Sequence, residues 1–145
     1  MKGLIQRVKT ASVSVNGQDI ACINNGILLF VGFECNDTVA NQNKLIRKVL
    51  NYRIFCDDKG RMNHSLQDIS GELLVVSQFT LVADTQKGNR PGFSVGATPQ
   101  QGALMFEQFI TAAKQHYDRI QHGIFGANMQ VELINDGPVT FWLST

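Results

Sequence analysis

The sequence has few cysteines and no long apolar run, and both absences exclude classes of protein. Cys22, Cys35 and Cys56 are odd in number and lack metal or redox spacing, so no disulfide framework is predicted. With no signal-peptide pattern, three scattered cysteines favour a reducing compartment, and we expect a cytoplasmic location. No apolar stretch approaches the roughly 18–20 residues that cross a bilayer, so we expect no membrane partner.

An excess of charge of one sign is also missing. The 13 Lys and Arg residues nearly balance the 12 Asp and Glu residues, and the formal net charge is +1. A protein that neutralises many duplex phosphates carries a clear excess of cations, so any nucleic acid partner must be held locally. His64, His116 and His122 lack ligand spacing and no carboxylate or thiol cluster accompanies them, so we expect neither a metal nor a cofactor.

What is present predicts a single compact α/β domain over residues 1–145. Asn16-Gly17 is a strong hairpin signal between two alternating segments, and the apolar run 27–33 is typical of a strand covered on both faces. These first three strands are predicted to form a meander, and residues 57–71 to form a loop with at most a short strand. Six or seven strands are expected in a barrel-like sheet, at 3–15, 18–23, 27–33, 73–76 and after residue 126.

Two helices are predicted to pack on this sheet. Asn36 or Asp37 can cap the first, which should end near Tyr52. The second begins at a capping box, Thr98 to Gln101, with Pro99 at its first position. Helical spacing predicts that the first helix presents Val39, Leu45, Ile46, Val49 and Leu50, and that the second buries Leu104, Phe106, Phe109, Ile110, Ala113 and Tyr117.

Two short segments are candidates for chemistry. Gly137-Pro138 interrupts the last strand-like stretch, which predicts the tip of a strand-turn-strand unit, because Pro cannot donate to a sheet ladder. Ser77-Gln78-Phe79-Thr80 continues the buried strand, but regular alternation would send its side chains to opposite faces. A bulge, or the use of backbone amides in place of side chains, would resolve this conflict. No nucleophile elbow surrounds Ser77 and no histidine lies near it in sequence.

These segments and several others resemble, in the same order along the chain, the motifs of the D-aminoacyl-tRNA deacylase family. The resemblance spans nearly the whole chain, with no departure at the motif positions. The matching segments are Leu4 to Val8, Ala11 to Val13, Ser77 to Leu81, Lys87 to Phe93, Phe125 to Met129 and Asn135 to Thr140.

The resemblance implies a homodimer whose active site is completed across the interface. Ser77 to Thr80 would line the pocket for the aminoacyl-adenosine end of tRNA. Gly137-Pro138 would be cis and enter the other subunit's site, where its carbonyls face the α-carbon of the amino acid. Phe125 and Met129 match positions near the pocket, and Arg7 matches one that holds the Gly-Pro tip. Residues 87–93 would contribute to the rim.

The expected reaction is hydrolysis of the ester that joins a D-amino acid, or glycine, to the terminal ribose of tRNA. Two mechanisms are open. Thr80 could be a nucleophile that forms an acyl-enzyme, or amides around Gln78 and Phe79 could hold the oxyanion while the substrate's 2′-hydroxyl assists a water. We favour the second, because the sequence supplies no evident base for Thr80. The rival from another class is a non-catalytic dimer that binds nucleotides or a protein.

Overall fold

The computed structural model describes all 145 residues. Eight strands and two α-helices occur, together with one 3₁₀ helix directly after the sixth strand. No helix is long and apolar enough to span a bilayer. In chain order the elements are β1 (Lys2–Val15), β2 (Gln18–Ile23), β3 (Gly26–Gly32), α1 (Val39–Asn51), β4 (Phe55–Cys56), β5 (Met62–His64), β6 (Glu72–Ser77), the 3₁₀ helix (Phe79–Val82), α2 (Pro99–His116), β7 (Ile120–His122) and β8 (Met129–Ser144).

The long strand β1 is the centre of the main sheet. Its first half, Lys2 to Val8, pairs with β3, and its second half, Ala11 to Val15, pairs with β2. Both partners are antiparallel and share one edge, because β8 occupies the other edge along nearly the whole strand. The predicted meander is therefore wrong: β3 returns to β1 instead of pairing with β2. At 14 residues, β1 is long enough to hold the six-residue β2 and the seven-residue β3 end to end.

Beyond β3 the sheet is parallel. β6 pairs with β3 and β7 pairs with β6, and the two crossovers carry α1 and α2. The helices cover one face of the sheet, over a core of 22 buried residues that includes Leu29, Leu45 and Phe109. On the other face the sheet curls, so that Ile23 of β2 and Leu74 of β6 share a second cluster of eight. The predicted α/β domain with a barrel-like sheet and two helices is confirmed.

The helix ends follow local capping chemistry. Thr98 and Gln101 form the predicted capping box of α2, and α1 stops at Tyr52 as expected. The N-cap of α1 is Thr38, however, and neither Asn36 nor Asp37. Thr38 forms a capping box with Asn41, whereas the Asp37 carboxylate accepts from the amide of Glu34 at 2.7 Å.

One predicted core position of α2 is wrong. Leu104 is 56% exposed. The buried stripe of this helix follows Gly102, Phe106, Phe109, Ile110 and Ala113, and Leu104 lies on the opposite side.

Candidate active site

The segment after β6 leaves the strand conformation at once. β6 ends at Ser77, Gln78 takes φ −143° and ψ 87°, and Phe79 begins the 3₁₀ helix. The amide of Gln78 donates to the carbonyl of Val31 at 2.8 Å, and a Cβ at Gly32 would lie only 2.9 Å from the carbonyl oxygen of Gln78. Gly32 thus permits the close approach that ends the strand. The strand does not stay regular through Thr80, which removes the conflict over alternating faces.

The turn exposes polar groups without a base among them. Gln78 Nε2 donates to the Thr80 hydroxyl oxygen at 2.6 Å, and both Phe79 and Thr80 are exposed. As the first residues of a 3₁₀ helix, Phe79 and Thr80 have backbone N–H groups without a partner inside the helix. Neither N–H donates to a carbonyl elsewhere in the turns and loops. Two main-chain donors next to an amide side chain can bind an oxygen that carries negative charge.

An aromatic pair stands beside this turn. The rings of Phe79 and Phe93 are 5.1 Å apart between centroids, at an interplanar angle of 49°. Phe93 follows a short hairpin whose two legs are joined by a pair of 2.8 Å backbone hydrogen bonds between Asp84 and Gly92. The second leg continues to Val95, whose carbonyl accepts from the amide of Cys35 at 3.0 Å, three residues after the end of β3. This loop had been expected to form the rim.

Phe125 and Met129 flank the end of β7, on opposite faces of the sheet. Phe125 packs on the helix-covered core, with its ring 6.1 Å from that of Phe106 and against Gly102 of α2. Met129 packs on the second cluster, with its sulfur against Gly123. Both side chains are half-buried. The carboxyl ends of parallel strands are a common ligand site in α/β sheets, and here β3, β6 and β7 all end beside Ser77 to Thr80 and Phe125.

Gly137-Pro138 lies in a wide bulge within β8. Asn135 pairs with Val8 and Thr140 pairs with Gln6, so four residues of β8 stand opposite Arg7 alone. The predicted strand-turn-strand unit is therefore wrong, because both halves of β8 run in the same direction along β1. The Gly137-Pro138 peptide is cis, and both residues are exposed.

The bulge is held by hydrogen bonds from Arg7 and within β8. Arg7 is 8% exposed, and its Nε donates to the carbonyl of Asp136 at 3.0 Å and pairs with the carboxylate at 3.2 Å. Its Nη1 donates to the carbonyl of Ile54 at 2.5 Å. Asn135 Oδ1 accepts from the amide of Val139 at 2.7 Å, and Asn135 Nδ2 donates to Thr140 at 2.9 Å. These contacts fix the position of Gly137-Pro138 relative to the sheet.

Within one chain the predicted site residues form two separate groups. Ser77 pairs with Val31 while Arg7 pairs with Ile27, and the bulge lies on β8, three strands from β6. Four residues along β3 span about 13 Å, and three strand spacings measure about 14 Å. A cavity of about 240 Å³ beside the bulge is lined by none of residues 77–80; its lining is Arg7, Asn25, Phe55, Cys56, Ile69 and Asp136.

Three residues of these two groups carry roles that the sequence did not indicate. Asn135 and Asp136 belong to the matched motif, but only the structure shows that one braces the bulge and the other pairs with Arg7. Gly102 leaves room for the ring of Phe125, because a Cβ at residue 102 would lie only 2.9 Å from that ring. A glycine inside a helical pattern is the one signal that could have indicated such a contact.

The shifted pKa values lie outside both groups. The backbone amide of Arg61, with the side chain of Asn63, lowers the pKa of Asp57, and the amide and hydroxyl of Ser65 lower the pKa of Asp68. Burial raises the pKa of Tyr117, whose hydroxyl donates to the carbonyl of Gly71. These shifts belong to turns and packing contacts around β5 and β6.

The chain is similar to one family along its whole length. A family model described as D-Tyr-tRNA(Tyr) deacylase matches residues 4–144. A protein of Dichelobacter nodosus named D-aminoacyl-tRNA deacylase is 54% identical over 143 residues, 99% of each chain. Proteins of the same name are 52% identical in Pseudomonas fluorescens (strain SBW25), over all of both chains, and 55% identical in Pseudoalteromonas atlantica, over 99% of both.

Two solved structures share the fold. One, titled c-Myc DNA Unwinding Element Binding Protein, superposes with a TM-score of 0.96 at 38% identity and covers 100% of this chain and 99% of its own. The other, titled a probable eukaryotic D-amino acid tRNA deacylase, has a TM-score of 0.84 at 16% identity, covering 98% and 97%. The second shows likeness of fold alone.

Proposed function

Because this chain belongs to the D-Tyr-tRNA(Tyr) deacylase family and is a hydrolase, we propose that it cleaves the ester between a D-amino acid, or glycine, and the terminal ribose of tRNA. The observation that carries the proposal is the match over residues 4–144, which includes both groups of site residues. The reaction frees the tRNA and the amino acid. The three exposed, unpaired cysteines fit a reducing compartment, and we place the activity in the cytoplasm.

The main chain of the turn after β6 stabilises the transition state of the hydrolysis. The carbonyl oxygen of the ester becomes negatively charged when water attacks, and the free N–H groups of Phe79 and Thr80 can donate to it. The vicinal 2′-hydroxyl of the ribose orients the attacking water and relays its proton to the leaving 3′-oxygen. An ester already has a good leaving group, so positioning and oxyanion binding suffice.

The nucleophile mechanism is disfavoured by the hydrogen bond at Thr80. An attacking hydroxyl must give its proton to a base, and the group within reach of Thr80 Oγ1 is the side-chain amide of Gln78 at 2.6 Å. An amide N–H donates to the hydroxyl oxygen and has no basic lone pair to receive a proton. Thr80 therefore serves to orient Gln78 and the turn.

The complete site belongs to a homodimer. Gly137 and Pro138 are exposed on the bulge that Arg7 and Asn135 hold, far from Ser77 to Thr80 of the same chain. β8 pairs only with β1, so one edge of a 16-residue strand stays free, beside exposed Trp142 and Ile134. Long free edges and exposed apolar side chains favour association. A second copy can supply its bulge to the first copy's turn, and the exchange is reciprocal.

Selection of the D form follows from main-chain exclusion. Apolar fit alone distinguishes a methylene by only about 1–3 kcal/mol, too little to protect every L-aminoacyl-tRNA in the cell. Fixed backbone atoms next to the α-carbon occupy the space that any L side chain would need. They make no contact with the side chain of a D-amino acid, so D-amino acids of many kinds are accepted. Glycine, with no side chain, enters as well.

The direct test is release of free amino acid from D-aminoacyl-, glycyl- and L-aminoacyl-tRNA by the purified protein. We expect rapid release from the first two and none above the spontaneous rate from the third. Equal rates for the D and L esters would contradict the chiral part of the proposal. No release from any of them would contradict the activity itself.

The second candidate is a non-catalytic nucleotide- or protein-binding dimer. The 38% identical structure bears the name of a DNA-element binding protein. For this second candidate, nucleic acid is therefore the ligand to test first. The formal net charge of +1 argues against duplex binding through many phosphates. Tight binding of duplex DNA without any deacylation would favour this candidate.

A further inference from the structure

The rings of Phe79 and Phe93, which meet at an interplanar angle of 49°, are unusually exposed for an aromatic pair. Phe79 is 62% exposed and Phe93 is 43% exposed. Neither belongs to either buried core cluster. The two side chains therefore present aromatic surface to solvent directly beside the Gln78 to Thr80 turn.

The hairpin before Phe93 carries two unpaired cations. Lys87 and Arg90 lie at its tip, both exposed, and neither takes part in any of the five ion pairs of the chain. The one carboxylate of the hairpin, Asp84, lies at its base and accepts from the amide of Gln86 at 3.0 Å. The Asp84 and Gly92 hydrogen bonds close the hairpin, so Lys87 and Arg90 lie in a loop whose end is followed at once by Phe93.

Exposed cations in the same loop as an exposed aromatic ring are the combination that binds single-stranded nucleic acid, where bases stack on the rings and the backbone follows the positive charge. We propose that residues 84–93 bind the single-stranded 3′ end of the aminoacyl-tRNA. Lys87 and Arg90 contact its phosphates, and Phe93, together with Phe79, stacks one of its bases. The inference rests on the proposed function and adds how the tRNA is held outside the ester pocket.

The exposed face of α1 is the main competing surface. Lys44, Arg47 and Lys48 are exposed there, and none forms an ion pair. α1 itself has no aromatic residue, so no aromatic ring accompanies these cations on the helix. The pair Lys44 and Arg47 provides a charge-matched control.

The charge test compares Lys87→Ala/Arg90→Ala with Lys44→Ala/Arg47→Ala on two substrates, D-aminoacyl-tRNA and D-aminoacyl-adenosine. The second substrate lacks phosphates. Two phosphate contacts to a single strand add about 1.4 to the slope of log KM against log salt. This slope corresponds to a rise in KM of about sevenfold between 50 and 200 mM salt. We expect the hairpin variant to lose that increment on tRNA, with kcat kept and D-aminoacyl-adenosine hydrolysed normally. The α1 variant should match the unmodified protein on both.

The stacking test uses Phe93→Ala, Phe93→Leu and Phe93→Tyr. One stacked base is worth about tenfold or more in affinity, so KM for D-aminoacyl-tRNA should rise that much in the Ala and Leu variants, and Tyr should restore it. Leu retains apolar bulk without a π-face, so recovery in Leu would show that packing, not stacking, is the role. Unchanged melting temperatures should accompany all three, because Phe93 is 43% exposed and belongs to neither core cluster.

Two results would overturn the inference. One is an equal KM effect of the hairpin variant on both substrates, and the other is an equal loss in the α1 control. If the unmodified protein hydrolyses neither substrate, the proposed function fails, and fluorescence anisotropy with uncharged tRNA decides the inference alone. Equal Kd values for the unmodified protein and Lys87→Ala/Arg90→Ala would then refute it.

Discussion

At the scale of single residues, the hydroxyl of Thr80 distinguishes the two mechanisms. It accepts a hydrogen bond from Gln78 at 2.6 Å and has no base beside it. Thr80→Ala should therefore cost one hydrogen bond, about 1–2 kcal/mol or about tenfold in kcat/KM. A loss of many orders of magnitude, or a covalent adduct on residue 80 in mass spectrometry, would favour the nucleophile mechanism. A tRNA that ends in 2′-deoxyadenosine tests the water mechanism, because unimpaired cleavage would exclude assistance by the 2′-hydroxyl.

Gly137 is the residue whose substitution should separate activity from stability. Its φ is +141°, and an added Cβ would lie 2.6 Å from Val139 Cγ2 and 3.2 Å from Arg7 Nη2. Gly137→Ala must therefore shift the tip by a few tenths of an ångström or more, away from the place beside the α-carbon that we propose for it. We expect a stability cost of about 1–3 kcal/mol, a melting point lower by several degrees, and a much larger loss of deacylation.

Gly60→Ala is the matched control for that substitution. Gly60 also has a positive φ, +75°, but nothing lies within 4 Å of the added Cβ. It should show the backbone cost without loss of deacylation. Full activity of Gly137→Ala on D-aminoacyl-tRNA, or equal inactivation by Gly60→Ala, would show that the tip is not the chiral gate.

At the scale of elements, the contact between β3 and β6 sets a strict requirement at Gly26. A Cβ at Gly26 would lie 1.9 Å from the carbonyl oxygen of Glu72, which is backbone and cannot turn aside. Gly26→Ala should push β6 away from β3 and destabilise the fold by about 3 kcal/mol or more. In Gly92→Ala the new atom would lie 3.7 Å from Asp84, so its melting temperature should stay near that of the unmodified protein. Similar melting temperatures for the two variants would disprove the close approach.

Those elements were predictable where the information is local. The capping box at Thr98 and the stop at Tyr52 depend on residues within one turn, and both are confirmed. Asn36, Asp37 and Thr38 are all good caps, so the choice among them depended on Asn41 and on the contact of Asp37 with Glu34.

Pairing over longer distances could not be predicted in this way. Gly137-Pro138 reads equally as a hairpin tip or a bulge, and only the continuous pairing of β8 with β1 decides between them. The same holds for β3, whose apolar run fits any central position and gives no indication that its partner is β1. The contact of Phe93 with Phe79 joins a loop to a turn and has no period in sequence. The candidate site residues were identified by resemblance, whereas their division between two ends of the sheet required the fold.

At the scale of the whole molecule, the pairing of β1 with β3 and β8 separates the two groups of candidate site residues. The turn after β6 and the bulge of β8 lie on opposite sides of β3 and β1, and continuous strand pairing separates them within one chain. The proposed isologous dimer would contain two sites, and each would take the turn from one copy and the bulge from the other. Defects in the two halves should therefore complement each other.

Mixing two inactive variants tests this arrangement. One variant is Gly137→Ala, and the other is Phe79→Pro, which removes a main-chain donor by replacing its N–H. After random reassociation half of the dimers are mixed, and each mixed dimer has one site with both halves intact, so activity should return to about a quarter of the unmodified level. Two copies of either variant alone should stay inactive, and both should sediment as dimers. If both variants sediment as dimers and subunit exchange is verified with a tagged copy, yet the mixture stays inactive, the turn and the bulge must act within one chain. A fully active species of about 16 kDa in sedimentation would equally contradict the shared site, since the chain mass is 16.0 kDa.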